Sequence, residues 1–255
     1  MRALAPFLLL PLLPSTAALP PPPAHRIPTS YESAVLGRRI LALTPLGTIS
    51  TVFPSDSSDP RQPANIGGAP HNILSYLSDC DPSSDSGHPT ILALSIETTF
   101  HNVASGSNVS LALSWTPPFA PGKRISSSSR RAGGRGKVVP APSEYSAANL
   151  PRFSLMGEIE RIAGGDGDAE LAACFVRAHP DAKYWLPGNR IHEAHFVRLV
   201  VRAVYWVGGF GDRAYIGWIP ADEWTGVTRE EWEGVRLPGE EKGWGEWRVG
   251  EEGDL

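Results

Sequence analysis

The residues best placed to do chemistry lie in His192-Glu193-Ala194-His195. A zinc-hydrolase helix needs its second histidine four residues after the first, so that both rings leave one face, and here that residue is Phe196. His192 is therefore read as a loop residue and His195 as the start of a strand, with no metal expected. His71 and His101 stand singly in polar stretches. Gly208, Gly209 and Gly211 could approach a phosphate, but no helix follows to offer its N-terminus, so a turn or bulge is the better reading. Arg198 and Arg202 share a strand face and could hold an anion; alternatively they are solvated or pair with carboxylates. There is no Gly-x-Ser-x-Gly, no Walker loop and no CxxC pair, and no catalytic residue is assigned.

Two cysteines occur in the whole chain, Cys80 and Cys174. A single disulfide between them and a pair of separate thiols both remain open, because sequence does not fix their distance. The start of the chain bears on this choice. Arg2, the apolar run Ala3 to Leu13 and the small residues Ser15 to Ala18 predict a signal peptide over 1–18, followed by a Pro-rich leader over 19–28. A membrane anchor is the alternative, but the run carries Pro6, Pro11 and Pro14 and is far short of the roughly 20 residues that span a bilayer. Secretion, or delivery to a vacuolar or lysosomal lumen, is expected, with no membrane span once the signal peptide is removed.

The stretch His195 to Pro220 organises what lies between. His195, Val197, Leu199, Val201, Ala203, Tyr205 and Val207 alternate with Phe196, Arg198, Val200, Arg202, Val204 and Trp206, which predicts a strand of about thirteen residues with one apolar face. Such length suits the staves of a barrel. Glycines then interrupt it, and Arg213 to Ile219 reads as the second strand of a hairpin.

Thr29 and Glu32 form a capping-box pattern that opens a helix to about Leu43, striped by Leu36, Ile40 and Leu43. Strands are predicted over Thr48 to Phe53, Ile73 to Leu77, Thr90 to Ile96, Asn108 to Trp115 and Pro151 to Ile162, and a helix from Asp168 to about His179. Thr90 to Ile96 is apolar on both faces and needs cover on each side, while Asn108 falls on the outward face of its strand. Asn108-Val109-Ser110 is an N-glycosylation sequon, so Asn108 is the expected glycan site. The order of elements is not a repeated βαβ and fits an antiparallel barrel with flanking helices, a mainly β or α+β fold.

Residues at about 116–149 turn to Pro, Ser, Gly and Arg, too polar to offset their ordering entropy, and are read as a disordered basic insertion. After Asp222 the chain becomes Glu- and Gly-rich with scattered tryptophans, so 226–255 is read as a peripheral acidic tail. With a formal net charge of -4 over 255 residues, no nucleic-acid partner is expected.

Several pieces, taken in order, carry a resemblance: Glu32-Ser-Ala-Val-Leu-Gly-Arg-Arg-Ile40, Gly47-Thr-Ile-Ser-Thr-Val-Phe-Pro54, Leu150-Pro-Arg-Phe-Ser-Leu-Met-Gly157, Ala178-His-Pro-Asp-Ala-Lys183 and Tyr205-Trp-Val-Gly-Gly-Phe-Gly211. Together they resemble the fungal branch of the CREG-like proteins, within the pyridoxamine-phosphate-oxidase-like, FMN-binding split β-barrels. The resemblance covers about Tyr31 to Trp224 and implies a six-stranded antiparallel split barrel over 29–225, usually dimeric, in a secreted or endolysosomal glycoprotein. The wider superfamily includes flavin oxidases, haem-degrading proteins and members without a cofactor, and Val207 to Gly211 is similar to haem-utilisation members.

The resemblance also shows where flavin mononucleotide would be tested. Catalytic members hold its phosphate with Lys or Arg from the first barrel strand and from the helical turn before a Val-Ser-Leu strand. Here the first strand has no basic residue, and counting back from Val109-Ser-Leu111 brings Thr98 and Thr99, beside Glu97, to the other position. Thr98, Thr99, Arg198 and Arg202 are the candidates for a cofactor. The expected reading is a non-catalytic homodimer without cofactor; the alternative is a flavin- or haem-dependent oxidoreductase.

Overall fold

A computed structural model describes residues 26–56, 62–63, 65–80, 86–122, 145–211 and 213–246. The expected signal peptide, nearly all of the leader, the centre of the basic insertion and the last residues of the tail lie outside the described residues. Among the described residues no helix is long and apolar enough to cross a membrane.

The chain enters through α1, Ser30–Leu43. Its capping box is complete: the Glu32 N–H donates to Thr29 Oγ1 at 3.2 Å and the Thr29 N–H donates to Glu32 Oε2 at 2.8 Å. Arg26 grips the same carboxylate, and these bonds hold Glu32 down to about 2. The apolar stripe is rotated from the one predicted: Leu43 is 40% exposed, while Ala34, Val35, Ile40 and Leu41 are buried. Gly37 explains the rotation, since a Cβ there would stand 2.6 Å from the Trp224 ring and 3.2 Å from that of Trp206. The helix seats its bare backbone on these two indoles and faces the core around that contact.

The strands are β1 (Leu46–Val52), β2 (Pro70–Ser78), β3 (Thr90–Leu94), β4 (Val109–Ser114), β5 (Arg152–Arg161), β6 (Ala194–Val207) and β7 (Ile216–Ile219). Six of them close into an antiparallel barrel in the order β1-β2-β3-β6-β5-β4, and β7 extends β6 beyond the end of β3. The seam between β2 and β3 is short, only Leu77↔Ile91 and Ser78↔Thr90. Ile49, Leu77, Ile91, Leu111, Leu155, Leu199 and Val204 fill the interior, and α1 lies in the same core.

A second apolar cluster lies outside the barrel wall. There α3 (Ala169–Ala178) lays Leu171 and Phe175 against Leu92 and Phe196. The two-sided apolar character of Thr90 to Ile96 is thus met within one chain. Asp168 caps α3 by accepting from the N–H groups of Glu170 and Leu171. His179, at its other end, donates from Nε2 to the Leu77 carbonyl at 2.9 Å and stacks on Tyr76.

The long strand β6 departs from simple alternation. Its register with β5 runs Met156↔Ala203 and then Gly157↔Val201, leaving Arg202 unpaired in a β-bulge. Before the bulge Val197, Leu199 and Val201 point into the core; after it Val204 and Trp206 do. The expectation of one continuous face through Ala203, Tyr205 and Val207 is corrected accordingly: Tyr205 is outside and Trp206 is 1% exposed. Gly157 makes the bulge possible, because a Cβ on it would meet the Val200 carbonyl oxygen at 1.9 Å.

The stretch after Asp222 is not peripheral. It forms α4 (Ala221–Gly226) and α5 (Arg229–Gly234), and Trp224, Val227, Trp232 and Leu237 are buried. Tyr31 of α1 donates to Glu231, and Arg39 pairs with Glu240. The strap then reaches the opening of the basic insertion: Trp115 Nε1 donates to the Pro238 carbonyl at 2.7 Å and Trp244 Nε1 to that of Phe119 at 2.7 Å. Its end holds both Gly122, whose N–H donates to the Trp244 carbonyl, and Ser146, whose N–H donates to the Glu246 carboxylate.

Candidate functional site

Thr98 and Thr99, two of the cofactor candidates, lie at the start of α2 (Thr98–Ala104). Thr98 is exposed and Thr99 is buried, its Oγ1 without a hydrogen-bond partner among the described residues. Glu97 precedes them, half-buried, and burial pushes its carboxyl up from the ordinary value. β1 beside this helix brings Thr48, Ser50 and Thr51 but no cation. These residues do not fit a phosphate dianion, which needs charge-assisted donors.

Arg198 and Arg202 are on β6, which is not a neighbour of β1 in the barrel. Arg198 stands opposite Glu160 on β5, with Nη2 3.3 Å from Oε2, and Arg202 reaches Glu158 at 3.5 Å from the bulge. The four candidates are therefore not gathered into one site.

A denser polar cluster forms where β6 begins. Asp166, in the turn after β5, accepts from the Phe196 N–H at 3.0 Å with Oδ1, while Oδ2 lies 2.9 Å from His195 Nδ1 and pairs with Arg161. Glu193 lies 3.2 Å from His195 Nε2. Burial alone would raise the Asp166 carboxyl; Arg161, His195 and the Phe196 amide together hold it below its usual value. Asp166, Pro187 to His195 line a groove of about 430 Å³ here. Each imidazole nitrogen faces a carboxylate, and the bonds of Asp166 to Arg161, His195 and the Phe196 N–H brace the turn onto β6. Among the described residues no three His, Cys, Asp or Glu side chains come together as a metal site. The sequence around Asp166 reads only as a Gly-Asp turn, since its partners on β6, His195 and Phe196, lie about thirty residues away and only Arg161 is near.

The outer face of the barrel carries a feature read from register alone. Leu74↔Thr48, Thr48↔Ala112, Ala112↔Ser154, Ser154↔Tyr205 and Tyr205↔Trp218 form one continuous row across six strands. Directly paired residues point to the same side, so the row is a trough with a floor of small side chains. Leu74, 59% exposed, stands at one end, with Tyr205 at 40% and Trp218 at 58% at the other. The two aromatic rings meet edge to face at 5.2 Å. A depression of about 360 Å³ lined by Thr48, Ala112, Ser114, Arg152, Ser154 and Tyr205 marks the floor. Ile216 extends the exposed apolar area beside Trp218. The sequence missed this face because the bulge at Arg202 exchanges Tyr205 and Trp206.

Asn108 is exposed just before β4. Cys80 and Cys174 form a disulfide with a Cα–Cα distance of 5.9 Å, tying the end of β2 to α3.

A family model described as "CREG, beta-barrel" matches residues 28–226. No curated protein matches the chain. Among solved structures, a heme binding protein from Mycobacterium smegmatis aligns at 20% identity with a TM-score of 0.49, over 78% of this chain and 61% of that one. Campylobacter jejuni ChuZ aligns at 12% identity and a TM-score of 0.46, over 74% and 60%. A putative pyridoxamine 5'-phosphate oxidase from Lactobacillus delbrueckii aligns at 16% and 0.31, over 66% and 90%. The chain spans about three fifths of the length of the first two.

Proposed function

Because this chain belongs to the CREG β-barrel family, we propose that it is a secreted or vacuolar-lysosomal glycoprotein that acts through protein contacts as a homodimer, without flavin catalysis. The observation that carries this reading is the exposed row from Leu74 to Trp218. Exposed aromatic and aliphatic side chains grouped on one sheet face are the mark of an interaction surface rather than of a solvated wall. The shape suits a second copy: a two-fold contact lets Tyr205 and Trp218 of one protomer lie over the small floor residues Thr48, Ala112 and Ser154 of its partner. Light scattering at micromolar concentration tests it. A dimer mass that falls to one chain in Trp218→Glu supports the face, and a wild-type mass of one mature chain refutes it.

What supports a reading without flavin chemistry is that Glu97, Thr98 and Thr99 occupy the positions at which the resemblance calls for cations. Losing two charge-assisted hydrogen bonds at about 1.5–3 kcal/mol each weakens flavin mononucleotide binding by roughly two to four powers of ten. Titration with flavin mononucleotide is expected to give no saturable quenching at submicromolar protein. Tight quenching, or a Soret band in the purified protein, would move the reading to a flavin- or haem-dependent oxidoreductase.

A further inference from the structure

The Cys80–Cys174 disulfide lies in the wall of a groove of about 510 Å³, and both cysteines are half-buried rather than enclosed. Leu77 and Trp232 give the groove apolar sides, and its charged lining is two cations, Arg177 and Arg229, against one acid, Asp79; Arg229 also pairs with Glu233 at 3.7 Å. Arg177 follows Cys174 by three residues on α3, which places it on the same helical face. Arg229 is held over the Trp232 ring, 5.6 Å from its centroid. A half-buried disulfide, apolar walls and an excess of one cation over the acid on the lining suit one kind of molecule, a small thiol that carries negative charge.

We infer that this groove is a binding and exchange site for an anionic low-molecular-weight thiol. The incoming thiolate attacks Cys80 Sγ; a new sulfur–sulfur bond forms there as the Cys80–Cys174 bond breaks. The bonding pair leaves on Cys174 Sγ as a thiolate, which the neighbouring Arg177 stabilises before it takes a proton from water. Attack falls on Cys80 because the better-stabilised thiolate is the better leaving group. No external oxidant is needed, since one disulfide is exchanged for another. The product loses the covalent tie between α3 and the end of β2 and keeps the His179 hydrogen bond, the Tyr76–His179 stack, the Tyr76–Asp181 hydrogen bond and the apolar cluster around Phe175.

The test uses the full oxidised chain with three thiols: glutathione, which carries extra negative charge, neutral 2-mercaptoethanol and cationic cysteamine. Opening rates per thiolate are divided by those measured on a small uncharged disulfide, which removes intrinsic reactivity. Glutathione is expected to lead 2-mercaptoethanol by about tenfold, with cysteamine slowest, as focused charge raises encounter rates. The order should flatten in high salt. It should flatten again in Arg177→Gln/Arg229→Gln, whose near-ultraviolet dichroism reports retained packing. Mass spectrometry after alkylation should find glutathione on Cys80 and the alkyl label on Cys174. Equal normalised rates, a preference indifferent to salt, or an adduct mainly on Cys174 would each overturn the proposal.

Discussion

Replacing Gly157 by alanine should damage the barrel more than any other single methyl addition on β5. The new Cβ would start 1.9 Å from the Val200 carbonyl oxygen and 2.8 Å from its carbon. An ordinary contact there needs about 3.2–3.4 Å, so the two strands must part by more than an ångström or the bulge must reorganise. Both elements are backbone, and neither can swing aside as a side chain would. Parting them strips hydrogen bonds from the β5–β6 ladder at about 1–3 kcal/mol for each group left unsatisfied, in addition to about 1–3 kcal/mol of overpacking. A loss of about 3–5 kcal/mol follows, or roughly 6–20 °C in melting temperature for a domain of this size. Gly226→Ala is the control, since nothing lies within 4 Å of its added carbon. Urea and thermal denaturation of both variants decide the matter. If Gly157→Ala costs under about 1 kcal/mol, no more than an exposed substitution, the close approach at the bulge is refuted.

Glu97→Gln should raise the melting temperature at pH 7 and leave it unchanged near pH 3: burial lifts this carboxyl, so the folded state loses stability as pH rises from the unfolded value near 4.5 through the folded one. Glu32, Asp166, Asp181, Glu231 and Glu240 run the other way, since their carboxyls are depressed in the fold. Their stabilisation is present above the ordinary carboxylate range and is lost as pH falls through the folded values, about 2 for Glu32, so a pH titration of thermal unfolding should show a plateau at pH 5 and a decline below about 4. Cys80→Ser/Cys174→Ser opens a link across 94 residues and should cost up to about 4.7 kcal/mol by chain entropy, measured in urea. Mass spectrometry of protein from a eukaryotic secretory host should find glycan on Asn108; unmodified Asn108 in secreted protein would contradict that assignment.

What could be read from the sequence was whatever is decided within a few residues. The capping box at Thr29 and Glu32 needs only its own turn, and the alternation of Val109, Leu111, Leu113 and Trp115 needs only an unbroken strand. β6 failed halfway because its phase is set by Gly157, a residue of another strand more than forty positions earlier. Trp224 and Trp232 showed no period because each sits in a helix of six residues, too short to repeat a face. The candidate surface was hidden for the same reason as the strand phase: a row such as Leu74 to Trp218 exists only in register. Thr98 and Thr99 were found by counting within a family pattern, while Asp166 had no local sign of its tie to His195.

Trp244 and Glu246 of the strap bond Gly122 and Ser146, so the two described flanks of the insertion are held within two residues of each other on the strap. A loop whose ends are already joined is insensitive to its own length: each doubling adds only about 0.6 kcal/mol of closure entropy. Residues added or removed between positions 122 and 146 should leave β4 and β5 in their pairing. The anchoring comes from Trp244 and Glu246, which lie beyond the span matched by the family model. One extension of the chain thus provides the mooring for another, making this junction a natural graft point where new sequence can vary without the barrel having to adapt to it.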